Sequence, residues 1–463
     1  MSGALLVLDV GTSSLKSALV GPDGSVSAER QIAYGTRSPL PGRQEQDPED
    51  WWRALEAVCE GLAPEAVVLT GTMQNCIPTG ADGRPAGPAI LYSDGRVREL
   101  GAFRARMPAD HEARMGNVAD AAQTVWKLMS GEAAGARGVH VGAKDPLVER
   151  LTGERVTDPT TAATSGLMAL ATRDWDDELL AAAGVERGRL PRIVPADTVV
   201  GRTREGPLPA GIPVVCGCGD AAASLWGVGA EAPGVRSAYL GTSGWVAATV
   251  AVPDAPRPHY TLAAPVGELA VAIAPVLTAG GALEWAAARL GLPISKALAV
   301  EEGRREPPLF LPYLIGERSP FEDRAVRGAL LGLDAAHDGA DLMRGAVEGI
   351  AHALRHASET MEAEGPLVLT GGAGEAPLMR RALARAFGVE VRRSARPRLA
   401  TALGAARIGW RALGVEVEAP LAPEVDAPDE GSRARAAIRY RAYREASGMA
   451  RRLAATLGEG RDA

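Results

Sequence analysis

Two stretches half a chain apart decide the fold: LDVGTSSLKSALV at 8–20 and AYLGTSGWVAATV at 238–250. Each runs from an apolar strand through Gly-Thr-Ser into a returning strand. Gly11 and Gly241 stand 230 residues apart in a chain of 463, so a whole strand-turn-strand unit recurs at half the length. The recurrence predicts two α/β units of one ancestral fold facing each other across a cleft, divided near Gly229 to Pro233 into 1–230 and 231–463.

The local reading works outward from the turns. Residues 4–33 read as a β-meander, because Pro22-Asp23-Gly24 makes a turn in which Pro presets φ and Gly takes the positive φ. Asp47 caps a helix with Pro48 at its first position and acids in its first turn. AVVLTGTM (66–73) and GIPVVCGCGD (211–220) read as buried strands running into glycine loops, the second followed by a helix. Residues 97–142 have helical character broken at Pro108, Gly116 and Gly131. Helical periodicity returns at 279–291, 341–364, 376–388 and 431–457, and LVLTGGAG (367–374) is a strand with a glycine loop.

Composition narrows the class. At 46% hydrophobic the chain can bury a large core, and a net charge of −7 with 4% aromatics is unsuited to nucleic acid or an anionic membrane. The four cysteines, Cys59, Cys76, Cys216 and Cys218, form no disulfide framework and no zinc pattern, which suggests a reducing compartment. MSGALLVLDV has no basic leader and reaches Asp9 too soon for a signal peptide, and no stretch is apolar enough to cross a bilayer. A cytoplasmic protein is expected. His352 and His356, spaced i, i+4 without the Glu of a zinc-protease motif, read as a solvated helix face. Only four of the fifty cationic residues are lysines, Lys16, Lys127, Lys144 and Lys296, so each is a position to watch.

The chemistry sits in the turns. A glycine lets the backbone approach an anion, successive N–H groups make a nest, and Thr and Ser hydroxyls add donors. Either turn alone reads first as an ordinary hairpin, and only the pairing reverses that preference. As a facing pair, Gly11-Thr12-Ser13 and Gly241-Thr242-Ser243 can clamp a polyphosphate. Asp9, at the mouth of the first turn, would repel phosphates unless a cation intervened, which makes it a candidate for hydrated Mg²⁺ as well as for a simple turn cap. Asp220 ends a strand inside a glycine run, where a carboxylate can take the proton of an attacking hydroxyl. GCGDAA also fits a loose dinucleotide fingerprint, but the acid expected about 20 residues on is not in place, since Glu231 comes too early.

These pieces together resemble the FGGY carbohydrate kinases, and within them the xylulokinase branch. The resemblance rests on LDVGTSSLK, EQDPEDWW (45–52), GRPAGPAILYSDGR (83–96), KDPLVERLTGE (144–154), RDWDDELL (173–180), GCGDAAAS, YLGTSGW, PYLIGERSPFEDRAVRGALLGL (312–333), LTGGAG and TALGAARIG, and spans nearly the whole chain. It implies two ribonuclease H-like domains of the actin/hexokinase/Hsp70 superfamily. It implies ATP and Mg²⁺ as cofactors and transfer of the γ-phosphate to a hydroxyl of a small sugar or polyol, first of all a ketopentose such as D-xylulose. Asp220 would be the catalytic base and Asp9 the metal anchor. Gly280, Gly371, Gly372 and Ala373 would border the nucleotide beside the two phosphate turns. A homodimer is also suggested. Another ketose, a polyol, a sugar acid, or a weakly catalytic sensor of the same fold are the alternatives.

Departures from the family pattern fall on the sugar side. Thr72-Met73-Gln74 replaces the usual Gln-Met-His, Ala221 replaces the Asn after the catalytic Asp, and Tyr92-Ser93 stands for Trp-Asn. Met73 and Gln74 are therefore expected to set acceptor choice.

Overall fold

The computed structural model describes residues 3–97, 99–301, 303 and 305–459. The apolar runs assemble into two six-stranded sheets. The first contains β1 (Leu5–Val10), β2 (Ser14–Val20), β3 (Val26–Ala33), β4 (Ala66–Gly71), β5 (Val199–Arg202) and β6 (Pro213–Gly219), in the order β5-β6-β4-β1-β2-β3. The second contains β7 (Arg236–Leu240), β8 (Gly244–Val250), β9 (Tyr260–Ala263), β10 (Ala270–Val276), β11 (Leu367–Thr370) and β12 (Val391–Arg393), in the order β9-β10-β8-β7-β11-β12.

Five strands of each sheet correspond one to one. In the first, β6, β4 and β1 are parallel and β2 and β3 return antiparallel. In the second, β12, β11 and β7 are parallel and β8 and β10 return antiparallel. The correspondence extends to a repeat the sequence analysis did not register: Val68-Leu69-Thr70-Gly71 at the end of β4 and Val368-Leu369-Thr370-Gly371 at and just past the end of β11 occupy equivalent positions.

Both faces of each sheet are covered, which is why the central strands read as continuous apolar runs. Leu6, Leu8 and Val10 pack on α1 (Pro48–Cys59), through Trp51 and Leu55, and on Leu147 and Val148, which lie in the short helix Asp145–Thr152. Asp47 caps α1 as expected, accepting from Glu49 N. The opposite face, with Leu5, Val7 and Val68, is covered by α2 (Asp220–Trp226) and by a helix from the far half of the chain, α6 (Ala400–Ala412), through Leu403, Ile408 and Trp410. The second sheet packs on α3 (Gly280–Arg289), α4 (Gly339–Ser358), α5 (Pro377–Phe387) and α7 (Glu430–Glu459).

The helices α2 and α6 cross with almost no separation. A Cβ at Gly404 would stand 1.7 Å from Ala223 O, and one at Gly227 would stand 1.8 Å from Ala400 O. Ser224 Oγ and Thr401 Oγ1 bond across the crossing at 2.7 Å, and Arg407 pairs with Glu231 at 2.6 Å. Since Asp220 is the first residue of α2, this crossing ties its placement to the second half.

Among the described residues, 97–142 form three short helices, Gly101–Arg104, His111–Met115 and Thr124–Met129, interrupted where breaks are expected, at Pro108, Gly116 and Gly131, and followed by a strand at Gly138–His140 that the sequence did not suggest. One expectation needs correction. His352 and His356 are not on a solvated face: they are 1% and 6% exposed and pack against Tyr443 of α7. A helix that returns nearly a hundred residues later supplies the burial.

Candidate active site

Three parallel strands of the first sheet end side by side. In register, Asp9 lies opposite Thr70, and Gly219 opposite Gly71. The loops leaving these ends carry Gly11-Thr12-Ser13, Thr72-Met73-Gln74 and Asp220. Carboxyl ends of parallel strands are where α/β sheets place ligands, because the chains diverge there and leave backbone donors exposed.

The first turn is held from beneath. Gly11 N donates to Ser14 O (3.0 Å), the Tyr34 hydroxyl to Gly11 O (2.5 Å), and Gln46 Nε2 to Thr12 O (2.6 Å). Trp51 Nε1 donates to Gln46 Oε1 and fixes that amide. With the carbonyls occupied below, Thr12 and Ser13 remain exposed above.

The second turn is built the same way. Gly241 N donates to Ser243 O (3.0 Å), and Gly280 N and Gly281 N, opening α3, donate to Gly241 O and Thr242 O, both at 2.8 Å. A Cβ at Gly280 would stand 2.3 Å from Gly241 O, and one at Gly371, where φ is 84°, would stand 2.5 Å from Leu240 O. Gly241, Thr242, Gly280 and Gly371 therefore converge, and Gly372 and Ala373 follow in a single 3₁₀ turn with Gly372 exposed. If this turn grips ATP, as the resemblance implies, Gly280→Ala should displace the turn carbonyl and raise the KM for ATP about tenfold, with the sugar KM within twofold, in initial-rate assays.

Electrostatics single out the two carboxylates. Burial, reinforced by the negative charge of Asp9, pushes Asp220 up to about 7. Burial also raises Asp9 to about 6, against the pull of Lys16, its cross-strand neighbour. Among the described residues neither carboxylate has a basic side chain in ion-pair contact. Two acids at neighbouring strand ends, Asp220 feeling the charge of Asp9 at the foot of the exposed Thr12-Ser13 turn, call for a cation, and the hydroxyl of Thr70, opposite Asp9 in register, is buried without a partner. These are oxygen donors, the ligands Mg²⁺ prefers while keeping several waters. Among the described residues no group of three or more His, Cys, Asp or Glu is placed to hold a metal. Mg²⁺ shared with phosphate oxygens requires no such group.

The Met73-Gln74 loop, where acceptor choice is expected to be set, lies next to Asp220. A Cβ at Gly219 would overlap Met73 Sδ, at 1.9 Å, so the bare glycine lets Met73 pack directly beside the carboxylate's strand. Gln74 takes a left-handed backbone, φ 63°, unusual for a non-glycine residue. The structure thus gathers Asp9, Met73, Gln74 and Asp220 around the first turn.

Sequence reasoning marked Tyr92 only as a departure from the family pattern, and missed Asn75 and the stacking of Tyr239 on Trp245. Buried Asn75 donates to Thr72 O and accepts from Tyr92 N, joining the acceptor loop to 91–94. The Tyr92 hydroxyl lies 3.3 Å from Thr12 Oγ1. On the second sheet Tyr239 and Trp245 stack with centroids 5.7 Å apart. They share the face of Ala247, Val271 and Val368, which belongs to the same apolar cluster as Val125 and Trp126 of the first half. The alternation of strand residues was the available signal, obscured by reading YLGTSGW only as a phosphate turn. Lys144 is consumed structurally, paired with buried Asp145 and Asp158 at 2.9 and 3.1 Å. The four cysteines are buried and free.

Known proteins are similar to this chain over most of its length. Residues 4–227 match the N-terminal domain and residues 237–413 the C-terminal domain of the FGGY family of carbohydrate kinases. The chain belongs to that family, and its two sheets are ribonuclease H-like domains of the actin, hexokinase and Hsp70 type. It is 31% identical to the xylulose kinase of Escherichia coli K12, over 96% of this chain and 97% of that one. It is 34% identical to the glycerol kinase of Thermus brockianus, over 87% and 88%. The crystal structure of a kinase from Brucella ovis, titled a xyloylose kinase, superposes with a TM-score of 0.88 at 28% identity, covering 97% of this chain and 99% of that one. No helix among the described residues is long and apolar enough to cross a membrane.

Proposed function

We propose that this chain transfers the γ-phosphate of ATP to a hydroxyl of a small sugar or polyol, with a ketopentose such as D-xylulose as the leading acceptor. The observation that carries the reading is Asp220: a half-buried carboxylate, without a basic partner among the described residues, pushed up to about 7 at the strand end next to Asp9 and the exposed Thr12-Ser13 turn. A base poised near neutral pH combines a large ionised fraction with useful proton affinity.

In this reading residues 1–230 carry the acceptor site and the first phosphate turn, and residues 231–463 the nucleotide site. Thr12 and Ser13 bind the phosphates from one side, and Thr242 and Ser243 from the other. Gly280, Gly371, Gly372 and Ala373 lay flat backbone along the nucleoside. Asp9 would hold Mg²⁺, which when bound would supply neutralisation of charge on the phosphates. Asp220 orients the acceptor hydroxyl and takes its proton as the new O–P bond forms and the bond to the ADP leaving oxygen breaks. Positioning and fixed charge do most of the work, because phosphoryl transfer leaves little covalent chemistry to the protein. Closing the cleft excludes water, the competing acceptor.

Release of ADP from ATP and Mg²⁺, measured over a panel of ketoses, polyols and sugar acids, tests the reading. ADP release that no acceptor stimulates would defeat it. The likeness to the Thermus brockianus glycerol kinase supports a polyol as the second candidate. Gln74→His should reorder kcat/KM within the panel by about tenfold, on the scale of one or two hydrogen bonds. An unchanged ranking would remove Gln74 from acceptor recognition.

A further inference from the structure

One of the four lysines is enclosed in the wall of this site. Lys127, in the short helix Thr124–Met129, is 1% exposed. Its ammonium donates to Gln74 O at 3.0 Å, Leu91 O at 3.0 Å and Ala122 O at 2.9 Å, which uses all three of its N–H bonds. Among the described residues no carboxylate is in ion-pair contact with it. A buried cation satisfied only by main-chain carbonyls is costly to keep, and each carbonyl comes from a different loop. The first belongs to the left-handed Gln74, the second to the segment whose Tyr92 reaches Thr12, and the third to the loop entering the lysine's own helix.

We propose that Lys127 is the positioning residue of the acceptor loop, its three-carbonyl tripod holding Gln74 and Tyr92 in the geometry that meets the sugar. The proposal rests on the acceptor reading above. The tripod works only while the nitrogen carries three protons: a neutral amine offers two and turns its lone pair toward the third carbonyl. Burial lowers Lys127 to about 8, opposed by Cys76, Asp94 and Asp120 and assisted by Arg96, the charged and titratable groups that face it. The tripod should therefore loosen in mildly alkaline solution.

Lys127→Met keeps the length and removes the donors. In the full chain, with D-xylulose and glycerol as probes, it should raise the acceptor KM at least tenfold and leave the ATP KM within twofold. Wild-type acceptor KM should climb several-fold between pH 7 and 9.5, and the climb should be absent in the variant. Amide hydrogen exchange should quicken at 72–76 and 90–94 in the variant and stay unchanged at 241–243. Unchanged exchange at the first two segments would overturn the proposal whatever the acceptor proves to be. An equal rise in both KM values, or a flat wild-type pH profile should the variant not fold, would also overturn it. Wild type inert toward every sugar, with the exchange change present, would instead defeat the acceptor reading alone.

Discussion

Replacing Asp220 with Asn is expected to lower kcat by about 10³-fold or more while the Kd for ATP, measured by calorimetry, changes by less than about threefold. The amide keeps the shape and the hydrogen bonds but cannot accept the acceptor's proton, and a positioned base supplies roughly 10²–10⁴ in rate. Wild-type turnover in the variant would exclude Asp220 as the base. The same substitution has a thermodynamic signature. The folded protein holds Asp220 at about 7, and its ordinary value is 3.8. Folding therefore takes up a proton between those values, and this carboxylate costs stability increasingly as pH rises through the window. Below about pH 4 both states are protonated and the cost vanishes; above about pH 7 it is complete. Asp220→Asn should thus leave Tm unchanged near pH 4 and raise it at pH 8, with a gain on the order of 2–4 kcal/mol. Calorimetric scans at the two pH values decide it.

The second large effect is expected at Asp9. Asp9→Asn should lower kcat/KM by about 10²-fold, the scale of one lost charge-assisted contact, and raise the Mg²⁺ concentration needed for half-maximal rate. It should also move the acid limb of the pH–rate profile. Asp9 raises Asp220 by like-charge repulsion, so its removal lets Asp220 ionise more easily and shifts the limb to lower pH. A limb that stays in place while activity falls would separate metal anchoring from the coupling of the two carboxylates.

How much of this was legible in the sequence depends on how local each signal is. The strand-turn-strand units at 8–20 and 238–250 are self-contained, since glycine and hydroxyl residues fix the turn without outside help. They predicted the meander, the second unit and the turns themselves. Asp220 was legible for the same reason, as an acid at a strand end among glycines. What stayed hidden is made by distant partners. Nothing near His352 and His356 announces that α7 will cover them. Nothing near Lys127 reveals that three carbonyls from loops at 74, 91 and 122 will converge on its nitrogen. Within 97–142 the breaks at Pro108, Gly116 and Gly131 were legible because proline and glycine act locally, whereas the strand Gly138–His140 was not, because its partner Ile77–Thr79 is distant in the chain.

The crossing of α2 and α6 bears on whether the two halves can exist apart. Trp410, Ile408 and Leu403 of α6 roof the β-sheet of residues that precede them by hundreds of positions, and Trp410 Nε1 even donates to Val20 O. A fragment ending near Gly229 would be synthesised with that roof missing and Leu5, Val7 and Val68 bared to water. Such a fragment should aggregate when expressed alone and become soluble when the remainder is supplied in trans. On the ribosome, the portion made first must wait for nearly the last to arrive.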